Sequence, residues 1–187
     1  MKRIQFLLTA AAATPLAAFA TVPFSSFSIL KGLVKPGDKP FKVEASKSRF
    51  EEAFTFRKVN SQDIKVSKKD TAGQISIIEY TGREKIGPPL HIHFEQDEIF
   101  YVADGEYRFV VGENEMQAKL GDTIFLPRNM PHTWTQKTDM GRLVYILQPA
   151  GTFEEFLHEL QTLKDPTAEN LQDIHLKHGM KILGPPL

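Results

Sequence analysis

There is no cysteine anywhere in these 187 residues. That excludes disulfides, thiolate nucleophiles and sulfur-ligated metal, and leaves nitrogen and oxygen as the only donors for any ion. Neither sign of charge is in excess, since 23 lysines and arginines balance 23 aspartates and glutamates. A chain without a single-sign field has no electrostatic hold on nucleic acid or on an anionic membrane surface, so the expected partner is a small molecule. Tryptophan is nearly missing, with one residue against fourteen phenylalanines and four tyrosines. Such a balance suits a dry interior that fills a barrel or walls an apolar pocket. No internal repeat is visible. The apolar share, 41%, supports one core at this length.

Long apolar runs are also scarce, the exception being the first twenty residues. Lys2 and Arg3 precede the run IQFLLTAAAATPLAAFA, which closes on Ala18-Phe19-Ala20. This charged, apolar and small-x-small order predicts a cleaved signal peptide over residues 1–20 and an exported protein, periplasmic or secreted, with no membrane attachment after cleavage. Gln5 and Pro15 interrupt the run and argue against a spanning anchor. Residues 21–52 turn to Pro, Gly, Ser and Lys, including Lys35-Pro36-Gly37-Asp38-Lys39-Pro40, and read as a linker or arm in which only Phe41-Lys42-Val43 hints at a strand.

Over residues 53–150 short runs alternate apolar with polar: AFTFRKV, QISIIEYT, EIFYVAD, EYRFVVG, EMQAKL, TIFLP, HTWTQ and RLVYILQP. Many short strands at even spacing predict an all-β sandwich or barrel. Asp104-Gly105 and Gly112-Glu113-Asn114 supply positions tolerant of positive φ, so hairpins and a mainly antiparallel sheet are expected. Residues 151–187 change period. Thr152 followed by Glu155 reads as a capping box opening a helix whose buried face holds Phe153, Phe156, Leu157 and Leu160. A second helix is expected from Asp165-Pro166-Thr167 through Leu171 and Ile174 to Gly179. The prediction is a barrel with a short helical tail packed on it.

Chemistry concentrates in residues 87–109, GPPLHIHFEQDEIFYVADGEYRF. Side chains alternate along a strand, so His91 and His93 share a face and can clasp one ion. Glu98 opens the next strand, where a short turn would return a carboxylate to the same ion. His132, at the head of HTWTQ, offers a further imidazole if its strand lies alongside. Three imidazoles and a carboxylate suit one borderline divalent metal, among Fe, Mn, Ni, Co, Cu and Zn, with positions left for substrate. Parity carried on from Glu98 puts Phe100 and Val102 on the inner face, and from His132 it puts Trp134 and Gln136 there. These four are candidate substrate contacts, although small barrels also fill their interiors with such side chains. Phe109, Phe125 and Met116 rank below them.

His91-Ile92-His93, four residues, Glu98, six residues and Gly105 resemble the first cupin motif. Gly121, five residues, Pro127, four residues and His132 resemble the second. Asn129 stands where that family usually has glycine and Gln136 where it usually has asparagine, and Gly87 lies closer to His91 than the family's leading glycine. Asparagine tolerates positive φ, and glutamine keeps the amide. With Pro88-Pro89-Leu90 ahead of the histidines and Gly184-Pro185-Pro186 in the tail, residues 50–187 resemble the single-domain quercetin 2,3-dioxygenase-like cupins.

The resemblance implies a double-stranded β-helix, or jelly-roll, barrel and a homodimer. It also implies an oxygenase of flavonol-like or enol substrates that uses O2, with Glu98 both ligand and general base. Glu95, which shares the parity of His93, and Asp97 are rival carboxylates that read more simply as solvated loop acids. His158, His175 and His178 in the tail read as surface residues. One fold hosts many chemistries. A metal-dependent lyase or isomerase of a small hydroxy or keto compound, and a non-catalytic small-molecule-binding module, therefore stand as alternatives.

Overall fold

A computed structural model describes residues 39–51, 53–56 and 59–187. The signal-peptide expectation for residues 1–20, and the arm up to residue 38, lie outside the described residues. The chain divides at Lys39/Pro40 into two units, and every element below belongs to the second. The Phe41-Lys42-Val43 hint fails, because those residues are irregular. The Phe41 ring lies instead under the Arg49 guanidinium, 3.9 Å away.

The strands in chain order are β1 (Ala53–Phe56), β2 (Asn60–Val66), β3 (Ser76–Gly82), β4 (Leu90–His93), β5 (Asp97–Asp104), β6 (Glu106–Val111), β7 (Asn114–Lys119), β8 (Thr123–Leu126), β9 (His132–Gln136) and β10 (Gly141–Gln148). Two helices follow, α1 (Phe153–Thr162) and α2 (Ala168–Lys177), and then β11 (Met180–Gly184). The strands form a six-stranded sheet in the order β1-β2-β3-β10-β5-β8 and a five-stranded sheet in the order β11-β4-β9-β6-β7. The described pairings are antiparallel.

Alternation sets the inner face. In β3 every second residue from Ser76 to Gly82 is buried, and in β10 the same holds for Gly141, Leu143, Tyr145 and Leu147. The register puts Ile78, Tyr145, Phe100 and Ile124 in one row across β3, β10, β5 and β8. From the opposite sheet Tyr107, Phe109 and Trp134 meet that row, with Phe100 5.4 Å from Phe109 between ring centroids. Burying these side chains is worth about 1.5–3 kcal/mol each, and this aromatic layer joins the two sheets.

One expected hairpin is a corner. Asp104 ends β5 in the six-stranded sheet and Glu106 begins β6 in the five-stranded one, so Gly105 carries the chain between sheets, whereas Gly112-Glu113 does close the β6–β7 hairpin. Strand alternation predicts the elements but not which sheet each joins. Asn129 has φ 61°, the left-handed turn its side chain tolerates.

Both helices form near their expected places, with one correction. Thr152 makes no side-chain cap and Glu155 pairs with Lys68, so the expected capping box is absent there. The reciprocal box sits instead at α2, between Thr167 and Asn170. After Gly179 the tail returns to strand as β11, which pairs with β4 and sets Met180 opposite His93. Among the described residues no helix is long and apolar enough to cross a membrane.

Candidate metal centre and adjoining pocket

The three imidazoles arrive on neighbouring strands. His91 of β4 lies directly opposite His132 of β9, with ring centroids 4.5 Å apart, and His93 follows two residues along β4 on the same face. Glu98, second residue of β5 in the facing sheet, brings its carboxylate to 3.1 Å from Nε2 of His132 and 3.8 Å from Nε2 of His93. One donor atom from each of the four residues lies within 4.8 Å of the others, and all four residues are buried. The four-residue cluster expected from spacing is therefore brought together.

Each ring is aimed through its other nitrogen. Nδ1–H of His91 donates to the Pro89 carbonyl at 2.8 Å, Nδ1–H of His132 to the Met130 carbonyl at 2.8 Å, and Nδ1–H of His93 to Oε1 of Gln96 at 3.2 Å. With Nδ1 protonated, Nε2 carries a lone pair, and in all three rings that lone pair is left for the cluster. Nε2 of His93 and of His132 are buried without a hydrogen-bond partner. A lone pair facing a carboxylate oxygen at 3.1 Å repels it unless a cation lies between them.

Burial, reinforced by the neighbouring imidazoles, pushes the proton affinity of His91 well below its ordinary value, and burial lowers that of His93 despite Glu98. Burial by itself would raise the Glu98 carboxyl, but positive charge in the cluster, on the rings of His93, His132 and His91, outweighs it and holds it down to about 2. Neutral nitrogens, an ionised carboxylate and two orphaned buried lone pairs fit a borderline divalent metal ion.

Next to the cluster lies a pocket open on one side. His91 and Glu98 line it together with Phe100, Trp134, Tyr80 and Tyr145 from the barrel, and with Phe153, Phe156, Leu157 and Leu160 from α1. No lysine or arginine is among its described lining residues. Phe100 and Trp134 thus stand where parity predicts, in the pocket wall. Val102 and Gln136 do not line it: Val102 is enclosed in the core, and the Gln136 amide donates to the Thr138 carbonyl at 2.9 Å. Parity gives the face of a strand but not the depth along it, and both residues lie too far from their ligand end.

Of the lower-ranked candidates, Phe109 is core, Met116 packs against the core, and Phe125 is on the outer face, 57% exposed. Glu95 is exposed, and Asp97 is held by Arg128 at 2.8 Å, so neither joins the cluster.

Two of the three tail histidines are not surface residues. His175 and His178 are buried, not superficial, because α2 turns them in against Phe156, and the His175 ring lies 6.5 Å from that of His91. His158 is at the surface, its ring edge against Phe54. Several residues had no sequence signal for their place. Gln62 lines the pocket and accepts a hydrogen bond from the Tyr145 hydroxyl. Gln96 supports His93. Glu154 is buried and accepts from Lys68 N (2.6 Å), Ser76 Oγ (2.6 Å) and Ser67 Oγ (2.8 Å), fastening the start of α1 to the barrel.

Comparison with known proteins agrees with this architecture. Residues 80–149 match the family model described as Cupin domain. A quercetin 2,3-dioxygenase of Bacillus subtilis (strain 168) is 29% identical over 103 residues, 55% of this chain and 29% of that protein. An uncharacterized protein of Methanocaldococcus jannaschii is 35% identical over 43 residues, 23% of this chain and 34% of that one. The chain thus spans about a third of the length of these curated relatives. Among solved structures, one described as a predicted oxalate decarboxylase from Thermotoga maritima shares the fold, with TM-score 0.50 and 16% identity, over 59% of this chain and 99% of that one. With its two facing sheets, its ligand spacing and the matched segment, this chain carries a cupin domain over residues 80–149, set in one barrel among the described residues.

Proposed function

We propose that this protein is a metal-dependent dioxygenase acting on flat, uncharged enol or flavonol-like molecules. The observation that carries this reading is the pocket. Aromatic side chains wall it, Glu98 and His91 face into it, and no lysine or arginine among its described lining residues could neutralise a carboxylate or phosphate. A planar ring fits such walls by stacking and edge contacts.

His91, His93, Glu98 and His132 would hold a divalent ion, which would supply Lewis-acid polarisation and, where redox-active, electron transfer. The chain's own residues do the rest. Glu98, ionised across the physiological range, accepts the enol proton as general base. Phe100, Trp134 and Phe153 orient the ring, and the apolar side of α1 keeps water from the reacting atoms. The Tyr145 hydroxyl occupies the Gln62 carbonyl oxygen, which leaves the Gln62 amide N–H groups to meet a polar atom of the substrate. The relative from Bacillus subtilis adds weight to the substrate class. The N-terminal pattern of residues 1–20 supports an exported location.

The test is elemental analysis of the purified protein, followed by oxygen-electrode measurements with flavonols and simple enols after loading with each candidate metal. Oxygen uptake that tracks one metal is the expected result. No uptake with any metal ends the reading. Turnover of a small hydroxy or keto compound without oxygen would replace it with a lyase or isomerase, and tight binding without turnover with a binding module.

A further inference from the structure

His93 differs from the other two imidazoles in how it is held. The Nδ1 partners of His91 and His132 are main-chain carbonyls two residues upstream, whereas that of His93 is a side chain, Gln96. Gln96 is itself 4% exposed and fully engaged. Its Nε2 donates to the Ala150 carbonyl at 2.6 Å and reaches the Pro149 carbonyl at 3.3 Å, and these donors fix which way the amide faces. Oε1 is thereby turned to His93. The packing leaves no slack, since a Cβ on Gly151, whose φ is 56°, would stand 2.8 Å from Gln96 Nε2.

Pro149, Ala150 and Gly151 are the segment that leads into α1, and the first residue of α1, Phe153, stacks on the His93 ring with centroids 6.0 Å apart at 28°. The same helix supplies Phe153, Phe156, Leu157 and Leu160 to the pocket wall. One ligand therefore touches the helix entry twice, through Gln96 and through Phe153.

We propose that Gln96 is a positioning residue that couples the ion to the pocket helix: a cation that fixes His93 also fixes Gln96, and Gln96 fastens segment 149–151 and with it the start of α1. Ion retention and the seating of the substrate wall become one linked equilibrium. This regulation of the site rests on the four-residue metal reading and is independent of which reaction the site performs.

The experiment uses the full chain loaded with Co(II), with no substrate present. Ion affinity is read by chelator competition, ligand geometry by the visible d–d spectrum, and α1 by amide hydrogen exchange over residues 150–160 with and without the ion. In the wild type the ion should slow exchange in that segment. Gln96→Met, similar in length but unable to accept from His93 or donate to Ala150, should weaken Co(II) about 10- to 100-fold, shift the visible spectrum and abolish the ion-dependent slowing.

Gln96→Glu separates the two halves of the link. Its carboxylate still accepts from His93 but can donate nothing to Pro149 and Ala150, so affinity should return to within a few-fold of wild type while the slowing stays lost. If Gln96→Met binds Co(II) within twofold of wild type, or if either variant keeps the ion-dependent slowing over 150–160, the coupling is overturned. A lack of oxygen uptake in the separate assay would end the dioxygenase reading and leave this one standing.

Discussion

Replacing Glu154 by alanine should loosen the pocket helix by an amount that follows from the structure. The carboxylate accepts three hydrogen bonds, from Lys68 N, Ser76 Oγ and Ser67 Oγ, at 2.6–2.8 Å. It is 6% exposed. A hydrogen bond to a charged group contributes about 1.5–3 kcal/mol net. Three of them set an upper range that is reduced by the cost of keeping a carboxylate out of water. Alanine removes that cost but orphans the Lys68 N–H, while Ser76 Oγ can fall back on the Val66 carbonyl at 3.3 Å.

The balance is about 3 kcal/mol of destabilisation, or roughly 6–12 °C in Tm for a chain of this size. Urea unfolding at pH 7.5 is the assay, with Glu154→Gln as the milder case at about half the loss. The midpoint should fall with an unchanged m-value. A loss below about 1 kcal/mol for Glu154→Ala would refute the reasoning, because it would mean that these bonds do not hold α1 to the barrel.

His93→Ala should strip the ion to below a tenth of wild-type content by elemental analysis, and retention would contradict the ligand assignment. The ion-free protein should lose stability as the pH falls. His91 and His93 have folded-state proton affinities below their unfolded values, so beneath about pH 6.5 the unfolded chain binds protons the native state refuses. Stability is then complete above that point and declines by up to about 1.4 kcal/mol per pH unit for each ring. A urea midpoint flat from pH 7 to 5 would exclude neutral buried imidazoles. Gly87→Ala should cost about 3 kcal/mol or more, since its Cβ would lie 1.6 Å from the Trp134 carbonyl oxygen and the neighbouring main chain must move; a melt within 2 °C of wild type would contradict that contact. Because Trp134 is the sole tryptophan and lines the pocket, a flavonol should quench its fluorescence saturably. Absence of quenching at solubility-limited concentrations would place binding elsewhere.

Much of this architecture is legible in the sequence because period-two alternation and ligand spacing are local properties. His91, His93, Glu98 and His132 follow from them, as do Phe100 and Trp134. What escapes is non-local. The strand over NSQDIKV is mostly polar and its alternation is broken by an irregularity between Ile64 and Val66, so it carries no periodic signal. The closing strand, MKILG, is short and becomes a strand only by pairing with β4. His175 and His178 look superficial on their own helix and are buried because it folds back against Phe156 of α1 and, for His175, toward His91. Gln96 is two residues from a ligand, yet nothing in its neighbourhood says that its amide will find Ala150, 54 residues away.

Two of the three imidazoles are steered by the peptide backbone, through the carbonyls of Pro89 and Met130. No single side-chain replacement can remove those acceptors. Their rings are already frozen in the receptive tautomer before any cation arrives, so little rotational freedom remains to be surrendered on loading. A barrel made this way should take up and give back its ion without refolding, and the same pre-set geometry should accept different divalent ions according to their supply.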